Sequence, residues 1–185
     1  MTEDVLESAR QEMDKTLAAL KKDLGHVRTG RASTALLDGI TVDYYGAKTP
    51  LNQVATVNVP ESTLLVLTPF DKSIIGAIEK AIKSAGLGLN PLNDGKLIRV
   101  PIPALTEERR RELVKHIKKL AEDYRVSMRN HRRDAIEMLK ELEKEHEITE
   151  DDRRHAADKV ETLTKESIER IDKVLKQKED EIMAV

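Results

Sequence analysis

Between Thr106 and His146 the chain contains neither proline nor glycine, and apolar residues recur there at steps of three and four. Leu113, Ile117, Leu120, Tyr124, Met128, Ala135, Met138 and Leu142 fall on one side of a helix. At about 1.5 Å per residue such a helix extends roughly 60 Å, well past the usual globular length. A stripe that long can be buried only by other helices of comparable length. This requirement dominates every other feature of the chain.

Two further segments meet it. The first runs from about Thr2 to Arg28 with Leu6, Ala9, Met13, Leu17, Leu20, Leu24 and Val27 in one stripe, and Gly30 is expected to end it. The other starts at Thr149, with Asp152 three residues on as a near capping box, and carries Val160, Leu163, Ser167, Ile171, Val174 and Ile182. Thr106 is a suitable N-cap for the long helix, and Glu107 and Glu108 suit the positive end of its dipole. An intramolecular three-helix bundle, and hence a monomer, is the economical solution.

Residues 31–104 differ in character, holding all six prolines: Pro50, Pro60, Pro69, Pro91, Pro101 and Pro103. Ile40–Tyr45, Val54–Val59, Leu64–Leu67 and Leu97–Val100 have strand composition. Asp71 to Ser84 reads as a helix with Ile74, Ile75, Ile78 and Ile82 on one side. The expected fold is α+β: a bundle of residues 1–30 and 105–185, with an inserted β/α/β domain at 31–104. The crossings, near 29–31 and 101–105, contain Thr29, Gly30 and Arg31 outbound and Pro101, Pro103, Ala104 and Leu105 returning. A glycine facing two prolines suggests a short hinge, although a rigid elbow fits the same residues.

With cysteine absent, disulfides and thiolate metal sites are excluded. The acidic start and the lack of any long apolar run predict a soluble cytoplasmic protein without membrane contact. A net charge of −2 argues against a generic polycation, so local charge must decide any nucleic-acid role. Projecting the long helix at about 100° per residue segregates its charges. Arg111, Lys115, Lys118, Arg125, Arg129, Arg132 and Arg133 share one flank, interrupted only by Glu122, whereas Glu112, Asp123, Asp134, Glu137 and Glu141 share the other. Arg28 and Arg31 add positive charge near the crossing.

Two readings fit this stripe equally. Guanidinium forks pair bidentately with phosphate and stack on bases, so it can meet RNA. Alternatively its cations pair with the abundant acids of the last helix, as flanking charges do in bundles. DNA is not favoured, since no helix-turn-helix or zinc-finger pattern occurs. His26, His116, His131, His146 and His155 lack metal-ligand spacing, and no phosphate loop or catalytic constellation is present. No catalytic residue, metal or cofactor is expected.

Specific strings go further than periodicity. Arg28-Thr-Gly-Arg-Ala-Ser33, Leu36-Leu-Asp-Gly39, Asp43-Tyr-Tyr-Gly46, Gly86-Leu-Gly-Leu-Asn-Pro91 and Arg99-Val-Pro-Ile-Pro103 closely resemble the ribosome recycling factor family. So do Leu105-Thr-Glu-Glu-Arg-Arg110, Arg129-Asn-His-Arg-Arg-Asp-Ala135 and Glu147-Ile-Thr-Glu-Asp-Asp152. The resemblance spans essentially the whole chain. It implies an L-shaped, non-enzymatic translation factor that binds the post-termination ribosome. It also implies that elongation factor G, hydrolysing GTP, drives subunit separation while the small domain moves. By the same resemblance the bundle contacts large-subunit ribosomal RNA, with Arg132 foremost and Arg129, Arg133, Arg28 and Arg31 beside it; the helix projection adds Arg125 as a candidate. Ala104 and His131 depart from the family pattern, where proline and an apolar residue are usual. The competing expectation from another class is a helical-bundle adaptor or chaperone that binds protein.

Overall fold

The structure, a computed structural model, describes residues 1–184. In chain order it forms α1 (Thr2–Gly25), β1 (Thr41–Tyr44), β2 (Ala47–Pro50), α2 (Leu51–Val54), β3 (Ala55–Glu61) and β4 (Leu64–Pro69). There follow α3 (Ile75–Ser84), β5 (Leu92–Asn93), β6 (Ile98–Pro101), α4 (Glu107–Lys144) and α5 (Glu150–Met183). Two compact units result. One combines Met1–Leu24 with the chain from Arg111 onward, and the other is Gly25–Arg110. Residues 25–30 and 105–110, assigned above to the bundle, therefore group with the sheet.

In the helical unit α1, α4 and α5 pack as three long rods. Val5, Leu6 and Ala9 of α1 meet Ala135 and Leu139 of α4 and Ala156 and Val160 of α5 in one buried cluster. Three alanines among them let the backbones approach closely. Farther along, Met13, Leu20, Ile117, Met128, Ile171 and Ile182 are fully buried. Buried Thr164 returns its hydroxyl to the Val160 carbonyl at 2.7 Å, so the core contains no orphan there.

Caps explain where the rods begin and end. Thr106 Oγ1 accepts from the Arg109 amide at 3.2 Å to start α4. Thr149 and Asp152 form a complete capping box on α5. Between them, Glu147 N donates to Leu142 O and His146 N to Glu143 O, a Schellman closure with His146 at φ +59° in the left-handed position. Helix α1 ends at Gly25, before the expected Arg28, where the turn at Thr34–Leu37 packs in; a Cβ on Gly25 would lie 3.4 Å from that of Ala35.

The core face of α4 differs from the expected one. Met138 is half exposed, while Ala121 and Leu139 are fully buried. The buried stripe is thus turned toward the basic flank: Ala121 and Leu139 share one face with Ile117, Met128 and Ala135, and Met138 lies to the side of it.

The sheet unit has a four-stranded antiparallel sheet of order β3-β4-β6-β5 and a separate β1-β2 hairpin. Leu65 faces Val100 and Leu67 faces Ile98 across β4 and β6, all fully buried. Ile78 and Ile82 of α3 join them in the same core, along with Val42. Asp71 accepts from the Ser73 amide at 2.8 Å and so opens the helical turn that leads into α3. Strands β2 and β5 and the one-turn α2 lack any sequence periodicity; pairing with β1 and β6 makes the two strands.

Two stability outcomes follow. Leu139→Ala should destabilise the protein by about 2–5 kcal/mol through lost burial and a residual cavity. His146→Gly should stabilise it by about 1 kcal/mol, since glycine carries no left-handed penalty. Urea denaturation followed by circular dichroism measures both.

Candidate functional site

The α4 stripe divides when the neighbouring helices are in place. Arg125 is the most covered of the arginines there, with its side chain 21% exposed. Its Nε and Nη2 donate to Asp172 Oδ1 of α5 at 3.0 and 2.5 Å, and its Nη1 donates to Glu122 Oε2 at 3.0 Å. Burial opposes the charge, but the bonds to Asp172 and Glu122 outweigh it and hold the guanidinium pKa above its ordinary value. Arg129 gives its Nη2 to Glu122 Oε1 at 3.0 Å, and Lys118 lies 3.4 Å from Glu179 of α5. Glu122, which interrupts the stripe in sequence, thus bridges two of its arginines. Their hydrogen bonds lower its pKa.

Arg132 and Arg133 differ from these. Both are exposed, and among the described residues neither has an ion-pair or hydrogen-bond partner. Lys115 shares that state. Pairing with acids of the last helix, the second of the two readings, is thus made by Arg125 and Lys118, whereas Arg129 pairs with Glu122 of α4 itself. Arg132 and Arg133 make no such pair and remain open to solvent.

On the opposite side of α4 the contacts are to α1. Tyr124 donates to Asp23 Oδ2 at 2.5 Å, and burial followed by that bond raises its pKa to about 12. His131 Nε2 lies 2.9 Å from Thr16 Oγ1, whose hydroxyl also donates to the Glu12 carbonyl at 2.8 Å. With its single proton used there, Thr16 accepts from a His131 Nε2–H. A polar residue is accommodated at position 131 because α1 supplies an acceptor.

In the sheet unit Arg28 turns inward. Its Nη1 donates to the Leu87 carbonyl at 3.1 Å, and its Nε is buried without a partner. A Cβ on Gly88 would stand 3.2 Å from Nη1, and the φ of +64° at this residue is one that residues other than glycine rarely adopt, so both favour glycine beside this contact. Arg28 consequently clasps the Gly86–Pro91 loop, whereas Arg31 is exposed. Gly30, at φ +77°, leaves its missing Cβ 3.5 Å from Leu105, so the two crossings touch. Ala32 N donates to Ser62 O at 2.7 Å and Ile102 N to Thr63 O at 2.8 Å, anchoring both crossings on the β3–β4 turn. Pro101 is the last residue of β6, opposite Leu64, and belongs to the sheet. Thr29, Gly30, Arg31, Pro103, Ala104 and Leu105 lie between these anchors and the helices.

Among the described residues no group of His, Asp or Glu is arranged to hold a metal ion, and no helix is long and apolar enough to cross a membrane.

A family model described as ribosome recycling factor matches residues 20–183. The chain belongs to the ribosome recycling factor family. It is 55% identical to the ribosome-recycling factor of Bacillus subtilis and 54% identical to that of Listeria innocua, each over the full length of both chains. Its fold is similar to the solution structure of a ribosome recycling factor, with a TM-score of 0.81 and 43% identity, covering 100% of this chain and 98% of that one. A second similar structure is the T. thermophilus ribosome recycling factor with E. coli elongation factor G, bound to the E. coli post-termination complex. There the TM-score is 0.69 and the identity 42%, with both chains fully covered. Of the candidate contact arginines, Arg132, Arg133 and Arg31 stand free among the described residues, while Arg28, Arg125 and Arg129 are engaged within their own units.

Arg125→Ala should lower stability by about 1–2 kcal/mol in urea denaturation, because it unlinks α4 from α5. Arg132→Ala should stay within about 0.5 kcal/mol of the parent. Tyr124 gives a pH signature. Its raised pKa means that its contribution is complete below pH 10.0 and is lost as pH rises toward about 12. The stability difference between the parent and Tyr124→Phe should therefore be flat below pH 10.0 and shrink above it, read from thermal melts across that range.

Proposed function

We propose that this chain binds the post-termination ribosome and, with elongation factor G and its GTP hydrolysis, separates it into subunits. It acts without a catalytic site of its own. The observation that carries the assignment is full-length similarity, at 42% identity, to a recycling factor bound with elongation factor G to a post-termination complex. Energy must come from the translocase, because the chain holds no Gly-Lys-Ser/Thr phosphate loop.

In this reading the helical unit contacts large-subunit ribosomal RNA through α4, with Arg132 and Arg133 leading. A phosphate approaching Arg125 would have to replace three hydrogen bonds already made, whereas at Arg132 it displaces only water. Arg31 is a further contact, Arg129 contributes after release from Glu122, and Arg28 and Arg125 act by positioning. The push is transmitted through the crossings. Ala32 and Ile102 are fixed to the β3–β4 turn, so rotation falls on Pro103, Ala104 and Leu105 of the returning crossing and, once Arg28 releases the Leu87 carbonyl, on Thr29, Gly30 and Arg31 of the outbound one.

Mixing the protein, elongation factor G and GTP with post-termination ribosomes should give a fall in light scattering beyond that of the translocase alone; the absence of any such fall removes the assignment. Arg132→Ala should weaken ribosome binding and flatten the log-affinity against log-salt slope by about 0.7–0.9. An unchanged slope would exclude Arg132 as a phosphate contact.

A further inference from the structure

The open part of α4 continues past the arginines of the stripe. Lys140 lies two turns beyond Arg133, about 10 Å along the axis. It lines, with Arg132, Arg133, Ile136 and Glu137 of α4 and Glu161 of α5, a bay of about 490 Å³. Half-buried Ile136 gives the bay an apolar lining. Among the described residues none of the five charged side chains makes an ion pair, although Glu137 is spaced to reach both Arg133 and Lys140 along the helix. Elsewhere the α4–α5 boundary closes such pairs, as Arg125 with Asp172 and Lys118 with Glu179. Three cations against two carboxylates leave the bay with a net charge of +1 and all of its cationic donors available.

We propose that Arg132, Arg133 and Lys140 form one bay for neighbouring phosphates of an RNA backbone, and that Glu161 limits its grip. The inference rests on the RNA contact proposed above and adds Lys140 as a phosphate ligand and Glu161 as a residue that tunes release. A phosphate seated between the cations displaces water alone, so binding is not opposed by a broken ion pair. Glu161, presented by a second helix and held beside fully buried Val160, repels that phosphate without neutralising any cation. A factor that must leave after each round is served by such a counterweight, because complete neutralisation of the bay would slow dissociation.

The test measures the affinity of the full-length protein for purified Bacillus subtilis ribosomes across a salt series. Lys140→Ala should bind on the order of tenfold more weakly and flatten the salt slope by about 0.7–0.9. Lys140→Arg should restore both values. Glu161→Gln should bind about twofold more tightly with the slope unchanged. Thermal midpoints of all three should match the parent, as neither side chain has a partner to lose. If Arg132→Ala weakens binding while Lys140→Ala does not, the bay is refuted and the RNA reading stands. If Arg132→Ala is also silent, the RNA reading itself fails. Glu161→Gln at parental affinity overturns the counterweight.

Discussion

Burial of one apolar stripe along the 38 residues of α4 sets the rotation of that helix, and most of what matters in this protein follows from that setting. Ile117, Ala121, Met128, Ala135 and Leu139 must face α1 and α5 together. Once they do, no freedom remains to choose which charged residues lie beside the neighbouring rods. Arg125 is carried to the edge of the core and meets Asp172, whereas Arg133 is carried away from it.

Electrostatics within the helical unit therefore has two regimes on one helix. Near its middle the cations are structural, joining α4 to α5 through Asp172 and Glu179 and to one another through Glu122. Nearer its C-terminal end the cations remain solvated. Such exposed arginines add little to stability, since there is no partner to lose. Positive charge at this end of α4 is thus presented to solvent without drawing on the bonds that hold the rods together.

The sheet unit solves a different problem. It is a small core, built on Leu65, Leu67, Ile98 and Val100, that must accept two chain crossings without leaving their backbones unsatisfied. Hydrogen bonds from Ala32 and Ile102 to the β3–β4 turn do this, and Arg28 adds a third tie through the Leu87 carbonyl.

Much of the fold was legible in the sequence because its signals are local. Periodicity located the three long helices, Thr149 with Asp152 marked the start of α5 in full, and the α+β character of the inserted segment was evident from its prolines and strands. Elements without periodicity were not legible. Strands β2 and β5 exist through pairing, and α1 stops at Gly25, short of the end that its apolar period predicts. The site divided in the same way. Sequence determined that α4 carries segregated charge with arginines on one flank. Only the tertiary structure decided which of them are free, because that depends on where Asp172, Glu122 and Leu87 come to rest, and those positions are fixed by packing between segments far apart in the chain.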